Sequence, residues 1–296
     1  MSSDFSPEVR NSAWWSGDSR KAANGKANEV IMTKLGLLEI PDLSGIEAVR
    51  MGHVMEPVIL ELAAQQLGVD VKKIDHGMAH PKELWLKCHF DGVTSMNELV
   101  EAKNYNASVR NKFDAETGRM PAADLAQCIH EATVFGTDTV YLAVLFGGQE
   151  FVMIKVEVTE QMKEDFIKQM SVYWSHVVSK TPLPPENVEQ ARLLYPVSEK
   201  AVKTASSGLE DACLQLKAIK DRIKALEEQE DQLQSAIMSN MGPADTLVDV
   251  AGQALVTWKT AAGTKRFDSK LFQSTMPDIY SKFMYEAPGS RRFLVK

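Results

Sequence analysis

The sequence predicts a mixed α/β protein of the α+β type, which continues into a long coiled-coil-like helix and ends in a small α+β module. Helical apolar spacing alternates with short apolar strand runs over the first 185 residues. A Gly147-Gly148 pair between two apolar runs is typical of a β-hairpin. Apolar residues then recur every seven positions from residue 209 to residue 237. These patterns divide the chain into residues 1–185, 186–242 and 243–296.

The composition is that of an ordinary soluble globular protein, with 44% apolar and 25% charged residues among 296. We expect neither secretion nor a membrane span, because the sequence shows no N-terminal signal pattern and no apolar run of about 20 residues. The three cysteines lie far apart, without the spacing of a zinc site. A reduced cytoplasm is therefore the expected compartment.

Charge is distributed unevenly along the chain. The net charge is −7, yet the segment from Lys259 to Lys296 carries +5 and the preceding 258 residues carry −12. Because phosphate contacts depend on local charge, a basic C-terminal module is compatible with a DNA partner. A basic tail without such a role remains the alternative.

The first predicted helix follows a basic stretch. Arg20, Lys21 and Lys26 precede an apolar helical run that ends at Gly36. The free N–H groups at the start of a helix, together with basic side chains, can hold a phosphate. Simple solvation of the three side chains is the other interpretation.

Two further helices carry polar residues away from their apolar stripes. The segment Ile46–Leu67 has apolar residues at three- and four-residue steps, and Glu56 falls between them, so we expect Glu56 to face a cleft. A later helix starts at Pro121 and places Gln127 and His130 outside its apolar stripe. Both helices therefore offer candidates for a functional site.

The stretch from Lys87 to Tyr105 contains the most specific spacing. Glu101 and Lys103 lie two residues apart in a strand, so their side chains share one face. A hairpin with Asn97 near its tip would bring Asp91 to the same end. Two carboxylates suit Mg²⁺, or Mn²⁺ as a substitute, and the lysine would act on a water molecule beside the metal. A solvated surface ion pair is the alternative.

A polar loop follows this strand and carries Arg110, Lys112 and Arg119. It is long and has few apolar anchors, so we expect it to close over a substrate. Further on, a helix over residues 159–180 leads to the proline-rich segment Thr181–Glu186, which is the boundary of the main domain.

The next element has a heptad seam. Its two apolar positions contain Leu209, Leu216, Ile223 and Ile237, and Ala212, Ile219, Leu226 and Leu233. Glu230 is the one break. The partner of this seam is either another copy of the chain or a shorter helix expected near residues 186–204, and we favour the intramolecular helical hairpin. The last fifty residues predict short strands, a helix over Leu271–Phe283 and a final strand.

Five segments in order along the chain match a known pattern: RMGHVMEPVILELAAQQLG, HFDGVTSMNELVEAK, DLAQCIHEATVFGTDTVYLAVLFGG, YWSHVVSKTPLPP, and the C-terminal pair VTWKTAAGTKRFDSKLF and SRRFLVK. Together they resemble the lambda-type phage exonucleases, the YqaJ viral recombinase family of the PD-(D/E)XK nuclease superfamily. The resemblance implies a restriction-endonuclease-like core with a central mixed β-sheet flanked by helices. It also implies Mg²⁺-dependent digestion of duplex DNA from the 5′ end, which leaves a 3′ overhang for recombination.

The resemblance further implies a role for each matching residue. Asp91 and Glu101 match the metal ligands, the backbone carbonyl of Ala102 matches a further ligand, and Lys103 matches the residue that orients the attacking water. Glu56 matches a helix carboxylate that assists the metal shell, directly or through water. These four side chains are the expected catalytic set.

DNA contacts are implied as well. Arg20 is the candidate anchor for the terminal phosphate, with Lys21 and Lys26 as alternatives. Gln127 matches the first glutamine of a helix motif whose second glutamine is absent here, so either Gln127 or His130 is expected to contact the substrate.

The expected partners are duplex DNA ends and a single-strand annealing protein, within the bacterial host cytoplasm if the chain is phage-encoded. Relatives often form rings around DNA, so a homo-oligomer is also expected. Two other functions stay open: an endonuclease or nickase with the same fold, and a non-catalytic DNA-binding protein whose acidic pair is structural.

Overall fold

The computed structural model describes residues 6–40, 42–74, 76–286 and 289–296. The chain divides into two compact units, residues 1–194 and 195–296. Within the described ranges, no helix has both the length and the apolar character needed to cross a membrane.

The first unit begins with short elements around the buried Trp14. These are α1 (Pro7–Asn11), β1 (Trp14–Trp15), α2 (Ser16–Lys21), a π-helical turn (Ala22–Lys26) and α3 (Ala27–Lys34). Gly25 takes a φ of 76° inside the turn, a conformation that side chains with a Cβ rarely adopt. The predicted first helix is therefore kinked, and Arg20 lies before the kink.

The next part of the unit contains a long helix and five strands. These are α4 (Glu47–Leu67), β2 (Val71–Lys73), β3 (Met78–Ala79), β4 (Leu86–Cys88), β5 (Gly92–Thr94) and β6 (Leu99–Tyr105). Gly68 ends α4 in the left-handed region with a φ of 67°.

The remainder of the unit matches the predicted order of elements. A 3₁₀ helix (Ala107–Lys112) precedes α5 (Ala122–Phe135), β7 (Thr139–Phe146), β8 (Glu150–Glu157), α6 (Glu160–Val178) and α7 (Val188–Leu194). The predicted β7–β8 hairpin is confirmed, and both Gly147 and Gly148 have positive φ. The unit extends past residue 185 because Gln190 of α7 is buried and accepts a hydrogen bond of 2.9 Å from Asn28.

A five-stranded mixed sheet forms the centre of the unit, in the order β2-β5-β6-β7-β8. Only the β6–β7 pair is parallel. Helix α4 covers one face, where Ile59 and Leu60 pack against Val100. The opposite face is covered by α5 and α6, with Cys128 and Phe166 in the larger core cluster. The predicted mixed sheet flanked by helices is confirmed.

A small three-stranded sheet, in the order β1-β4-β3, adjoins this core. Strand β1 pairs in parallel with β4, with Trp14 opposite Leu86. Both residues are fully buried. This sheet ties the N-terminal helices to the chain that enters β5.

The second unit contains a 35-residue helix and a small module. Its elements are α8 (Ser207–Met241), β9 (Thr246–Val248), β10 (Ala254–Thr257), α9 (Ser269–Thr275) and α10 (Pro277–Lys282). Two predictions for this module are wrong. The helix expected over Leu271–Phe283 is two short helices, because proline has no N–H to continue a helix through residue 277. The described residues 289–296 form no final strand.

The helical hairpin expected in residues 186–242 stays a prediction. The helix expected near residues 186–204 is the short α7, whose buried Gln190 belongs to the first unit. The heptad seam of α8 lies exposed along most of its length.

Candidate active site

The β5–β6 hairpin sets the position of the acidic pair. Gly92 lies opposite Val100 in the antiparallel register, so Asp91 comes next to Glu101. Asn97 has a φ of 64° in the connecting turn, a conformation that asparagine tolerates better than most residues. The predicted hairpin is thus confirmed. Asp91 Oδ2 accepts a hydrogen bond of 2.9 Å from the N–H of Ala102.

Glu101 and Lys103 form an ion pair on the face of β6 that α5 covers. Val100 and Ala102 point to the other face, toward α4. The side chains of Glu101 and Lys103 are only 3% and 19% exposed. The pair is therefore buried, which does not fit a solvated surface ion pair.

Helix α5 presents three polar side chains to this face of β6. Asp124, Gln127 and Glu131 lie three and four residues apart, so they share one side of the helix. Gln127 Nε2 donates to Glu101 Oε1 at 2.6 Å and to Glu131 Oε1 at 2.9 Å. The structure thus brings the predicted Gln127 directly onto the acidic pair.

The electrostatics of the cluster are dominated by burial. Burial raises the pKa of the Asp91 carboxyl well above its ordinary value, and the charge of Glu101 raises it further. Burial and Glu101 have the same effect on the pKa of Glu131. For Lys103, burial lowers the pKa, but the charges of Glu101 and Asp91 outweigh the effect of burial and raise the pKa above the ordinary lysine value. Three carboxylates thus share one ammonium, and the cluster favours additional positive charge.

Glu56 lies on α4, close enough to Asp91 for its charge to act on that carboxyl group. Its Oε1 is 2.6 Å from Lys73 Nζ, and Lys73 lies opposite Gly92 in the β2–β5 register. Burial and Glu101 are the main causes of the raised pKa of Asp91, and the charge of Glu56 adds to them. The structure therefore places Glu56 beside the acidic pair, in an ion pair with Lys73.

The donor set fits a hard divalent cation in its chemistry and its charge. Asp91 and Glu101 offer carboxylate oxygens, and Ala102, within β6, carries the backbone carbonyl that the resemblance implies. Within the described residues, no group of three His, Cys, Asp or Glu side chains is arranged to hold a metal ion by itself. A cation here would depend on the two carboxylates and on further oxygens from backbone, water or substrate.

Arg20 is held next to the acidic cluster by one residue of β6 and one residue of α5. Tyr105 shares the β6 face of Glu101 and Lys103, and its hydroxyl donates to Asp124 Oδ1 at 2.6 Å. Arg20 Nη2 donates to the Tyr105 hydroxyl at 2.8 Å, and its Nε donates to Asp124 Oδ1 at 3.2 Å. The guanidinium is thus fixed beside the acidic cluster while its side chain stays 37% exposed.

Lys21 and Lys26, the alternatives to Arg20, are engaged elsewhere. Their Nζ atoms lie 3.7 Å and 3.5 Å from the carboxylate of Glu29. The structure therefore brings Arg20 to the acidic cluster and leaves the two lysines around Glu29.

The predicted closing loop is an ordered segment of the fold. Arg110 donates to Glu150 Oε1 at 2.6 Å and to the carbonyl of Phe113 at 2.8 Å. Asp114 and Arg119 form an isolated β-bridge. The side chains of Lys112 and Arg119 are exposed.

His130 does not lie on a surface, so the prediction that it contacts DNA is wrong. It is fully buried, its Nδ1 is 2.8 Å from Ser19 Oγ, and its Nε2 is 2.9 Å from the carbonyl of Lys87. Trp14 Nε1 donates to the same Ser19 hydroxyl at 2.9 Å. Burial lowers the pKa of His130 to about 3, so the imidazole is neutral and its role is structural.

Sequence reasoning missed Tyr105, Asp124 and Glu131. Two spacings could have revealed them. Polar residues at 101, 103 and 105 alternate along one strand, and polar residues at 124, 127 and 131 follow one side of a helix. When such a helix packs on such a strand, the side chains of the two polar stripes can form hydrogen bonds with each other.

Comparisons with known proteins cover the part of the chain that carries these residues. Residues 17–139 match the family model of the YqaJ-like viral recombinase domain. The chain is 24% identical over 278 residues to a Bacillus subtilis (strain 168) protein named "Uncharacterized protein YqaJ", covering 90% of this chain and 85% of that protein. An alkaline exonuclease from Laribacter hongkongensis aligns with a TM-score of 0.49 and 13% identity, over 58% of this chain and 91% of that one. A phage-related exonuclease from Haemophilus somnus 129PT aligns with a TM-score of 0.42 and 11% identity, over 54% and 82% of the two chains.

Proposed function

From the premise that residues 17–139 form a YqaJ-like viral recombinase domain, we propose that the protein is a Mg²⁺-dependent exonuclease. It digests one strand of duplex DNA from the 5′ end and leaves a 3′ single-stranded overhang for recombination by strand annealing.

One observation carries the proposal: Asp91, Glu101 and Lys103 meet in a buried cluster inside the segment that matches the family. A buried ion pair is weak support for stability, because desolvation of the charges offsets their attraction. Strongly shifted pKa values are concentrated at functional sites. A catalytic role explains why the chain keeps three carboxylates and a lysine here.

The chemistry required is hydrolysis of a phosphodiester bond. A water molecule must approach the phosphorus, and the negative charge that grows on the phosphate must be stabilised. Mg²⁺ held by Asp91 and Glu101 would supply positive charge to the phosphate and acidify the attacking water. Lys103 stays protonated because its pKa is raised, so it acts by donating hydrogen bonds to the water or phosphate and not as a general base.

The direction of digestion depends on recognition of the DNA end. Arg20 is held by Tyr105 and Asp124 on the same strand and helix faces that hold the acidic cluster. A guanidinium can bind a terminal phosphate through two parallel hydrogen bonds. We assign Arg20 to the 5′-phosphate and Gln127 to the alignment of Glu101.

The test uses end-labelled linear duplexes with a 5′-phosphate or a 5′-hydroxyl, with and without Mg²⁺. We expect Mg²⁺-dependent release of nucleotides from the 5′-phosphorylated strand. Arg20→Gln is expected to reduce the preference for the phosphorylated end about tenfold or more, since a charge-assisted hydrogen bond contributes about 1.5–3 kcal/mol. Arg119→Gln, which removes an exposed arginine of the polar loop, is the matched control and keeps the preference. Equal digestion of both ends by wild type would contradict the assignment of Arg20.

Closed circular plasmid separates the two nuclease functions. An exonuclease leaves the circle intact, whereas an endonuclease or nickase converts it to the linear or nicked form. A non-catalytic DNA-binding protein would retain linear duplex in a mobility-shift assay without degrading it. Degradation of linear duplex by Asp91→Ala protein with Mg²⁺ would refute the proposed site.

We further propose that the overhang passes to a single-strand annealing protein in the bacterial cytoplasm. The proposal follows from the product, because a long 3′ single strand needs a protein that pairs it with a complementary strand. Co-purification of the full chain with such a protein, and faster joining of overlapping duplexes when both are present, are the expected results.

A further inference from the structure

Helix α8 exposes an apolar stripe that its own unit does not bury. At about 1.5 Å per residue, its 35 residues extend roughly 52 Å. Ile219, Leu226 and Leu233 are all exposed along one side. Most of the stability of a helix in a protein comes from packing of its apolar face, so a stripe of this length indicates a partner.

We propose that the partner is a second copy of α8, packed antiparallel in a two-fold symmetric dimer. The heptad pattern allows one alignment that places the two-fold axis between Lys224 and Ala225. Ile223 then packs against Leu226 of the second copy. Every contact occurs twice because the interface is isologous.

The outer layers of this alignment are also complementary. Leu216 packs against Leu233 of the second copy, and Ala212 packs against Ile237 of the second copy. Glu230 faces Ile219 of the second copy, with Lys220 of that copy on the adjacent position. The one charged residue of the seam therefore meets an apolar residue and a lysine, and not its own equivalent.

Glu230 favours the antiparallel orientation over the parallel one. In the antiparallel alignment, Lys220 on the flank of each helix faces Glu227 of the other copy, which gives two ion pairs. A parallel, in-register dimer would also gain two flanking ion pairs, between Arg222 and Glu227 of the other copy, so the flanking charges do not decide the orientation. In a parallel, in-register dimer, the two Glu230 side chains face each other across the axis. That orientation places like charges in the seam, where they are least solvated.

The size of the seam is sufficient for a stable dimer. Each helix contributes six large apolar side chains to the alignment: Leu216, Ile219, Ile223, Leu226, Leu233 and Ile237. If each buries on the order of 80–100 Å², the dimer buries roughly 1,000 Å² or more of apolar surface, which is within the range of specific protein interfaces. The two terminal layers are weaker because Ala212 is small.

The mass of the full-length protein in solution, measured by light scattering after size exclusion, tests the assembly. We expect twice the mass of one chain. Ile223→Asp combined with Leu226→Asp is expected to halve this mass to that of a single chain. Leu214→Asp places the same charge on the outer side of α8, on another exposed leucine, and is expected to remain dimeric. A single-chain mass for wild type, or the three-chain mass of a ring, would overturn the proposal.

The orientation has a test of its own. Cys213 is the exposed one of the three cysteines, while Cys88 and Cys128 are buried. The antiparallel alignment places Cys213 opposite residue 234 of the second copy, so a short bismaleimide should crosslink Gln234→Cys protein. Wild type and the double variant Cys213→Ser, Gln234→Cys should remain uncrosslinked. Crosslinking of either control would indicate a different alignment.

A charge swap provides a second test of orientation. Glu227→Lys places two lysines opposite each other and is expected to shift the dimer toward monomer at low ionic strength. Adding Lys220→Glu restores opposite charges only in the antiparallel dimer. A double variant that stays as weak as the single one would overturn this pairing. The dimer does not depend on nuclease activity, so these results are independent of the proposed function.

Discussion

Two strands of the same sheet each carry a glutamate and a lysine two residues apart, and one pair is buried while the other is exposed. Glu101 and Lys103 lie on the central strand β6, where their side chains are 3% and 19% exposed. Lys155 and Glu157 lie on the edge strand β8, where their side chains are 49% and 74% exposed. Both pairs are within ion-pair distance. The spacing alone therefore does not distinguish a functional pair from a surface pair.

The neighbours of the two pairs make the difference. Helix α5 covers β6 and adds Gln127 and Glu131, and the hairpin adds Asp91, so the buried pair lies among further charges. The β8 pair faces water, which solvates both ions and screens their attraction. Four predictions, in order of decreasing expected effect, test whether this contrast has the consequences we assign to it.

The largest expected effect is on catalysis. Asp91→Asn and Glu101→Gln preserve shape but remove a charged oxygen donor, so we expect Mg²⁺-dependent digestion of linear duplex to fall by about 10³-fold or more. Glu157→Gln makes the same chemical change in the exposed pair and should retain wild-type activity. Initial rates on end-labelled duplex provide the measurement. Equal losses of activity in Glu101→Gln and Glu157→Gln would show that the buried pair has no greater part in catalysis than the exposed pair.

The second prediction concerns stability without metal. Lys103→Met leaves Glu101 buried without its ammonium partner, which should lower the free energy of unfolding by about 3 kcal/mol. Lys155→Met should leave the urea midpoint within experimental error, because its partner stays solvated. Urea unfolding in EDTA, followed by circular dichroism, measures both. In the double variant Lys103→Met, Glu101→Gln, part of the loss should return; strictly additive losses would contradict the coupling.

The buried His130 extends the contrast to pH dependence. Burial lowers the pKa of His130 to about 3, so between about pH 6.5 and pH 3 the unfolded state binds a proton that the folded state does not. Stability from this residue is therefore complete above about pH 6.5 and is lost as pH falls toward 3. His130→Leu should reduce this acid sensitivity and also cost about 2 kcal/mol at neutral pH, because it leaves the buried Lys87 carbonyl without its donor. Thermal melts of wild type and His130→Leu between pH 7 and pH 3 provide the measurement, and equal loss of stability in the two proteins on acidification would contradict this role of His130.

The smallest expected effect is a gain. Burial raises the pKa of Glu131, so the folded state binds its proton more tightly than the unfolded state, and stability is lost as pH rises above the ordinary glutamate value. Glu131→Gln should therefore stabilise the metal-free protein by about 1 kcal/mol at pH 8, with a smaller gain at pH 4. Thermal melts in EDTA at both pH values provide the measurement. A variant that is less stable at pH 8 than at pH 4, relative to wild type, would reverse the predicted sign.

Local patterns in the sequence predicted much of the fold and the centre of the site. The apolar spacing located α4 and α5, and the glycine pair located the β7–β8 hairpin. The turn residues around Asn97 predicted the β5–β6 hairpin, and the two-residue spacing of Glu101 and Lys103 predicted the polar face of β6. These features depend on residues close to one another along the chain.

The remainder depends on contacts between distant residues. Nothing near His130 in the sequence indicates that Ser19 and the Lys87 carbonyl would satisfy both ring nitrogens in the core. The spacing of Glu131 from Gln127 places it on the polar side of α5, but its burial follows from the packing of α5 onto β6, which the spacing does not encode. The position of α7 in the first unit could not be predicted for a similar reason, because it depends on the buried contact between Gln190 and Asn28. Such contacts join residues that are distant in the sequence, so the apolar periodicity of each segment does not predict them.

The hydrogen-bond chain from Trp14 through Ser19 and His130 to the Lys87 carbonyl has a consequence for the products of digestion. Ser19 directly precedes Arg20, and Lys87 lies just before the hairpin that carries Asp91. The core therefore sets the distance between the residue assigned to the DNA end and the residues assigned to cleavage. If Arg20 binds the terminal phosphate, this fixed distance determines which phosphodiester bond reaches the cleavage residues. Each cut should then release a fragment of one uniform length whatever the base sequence.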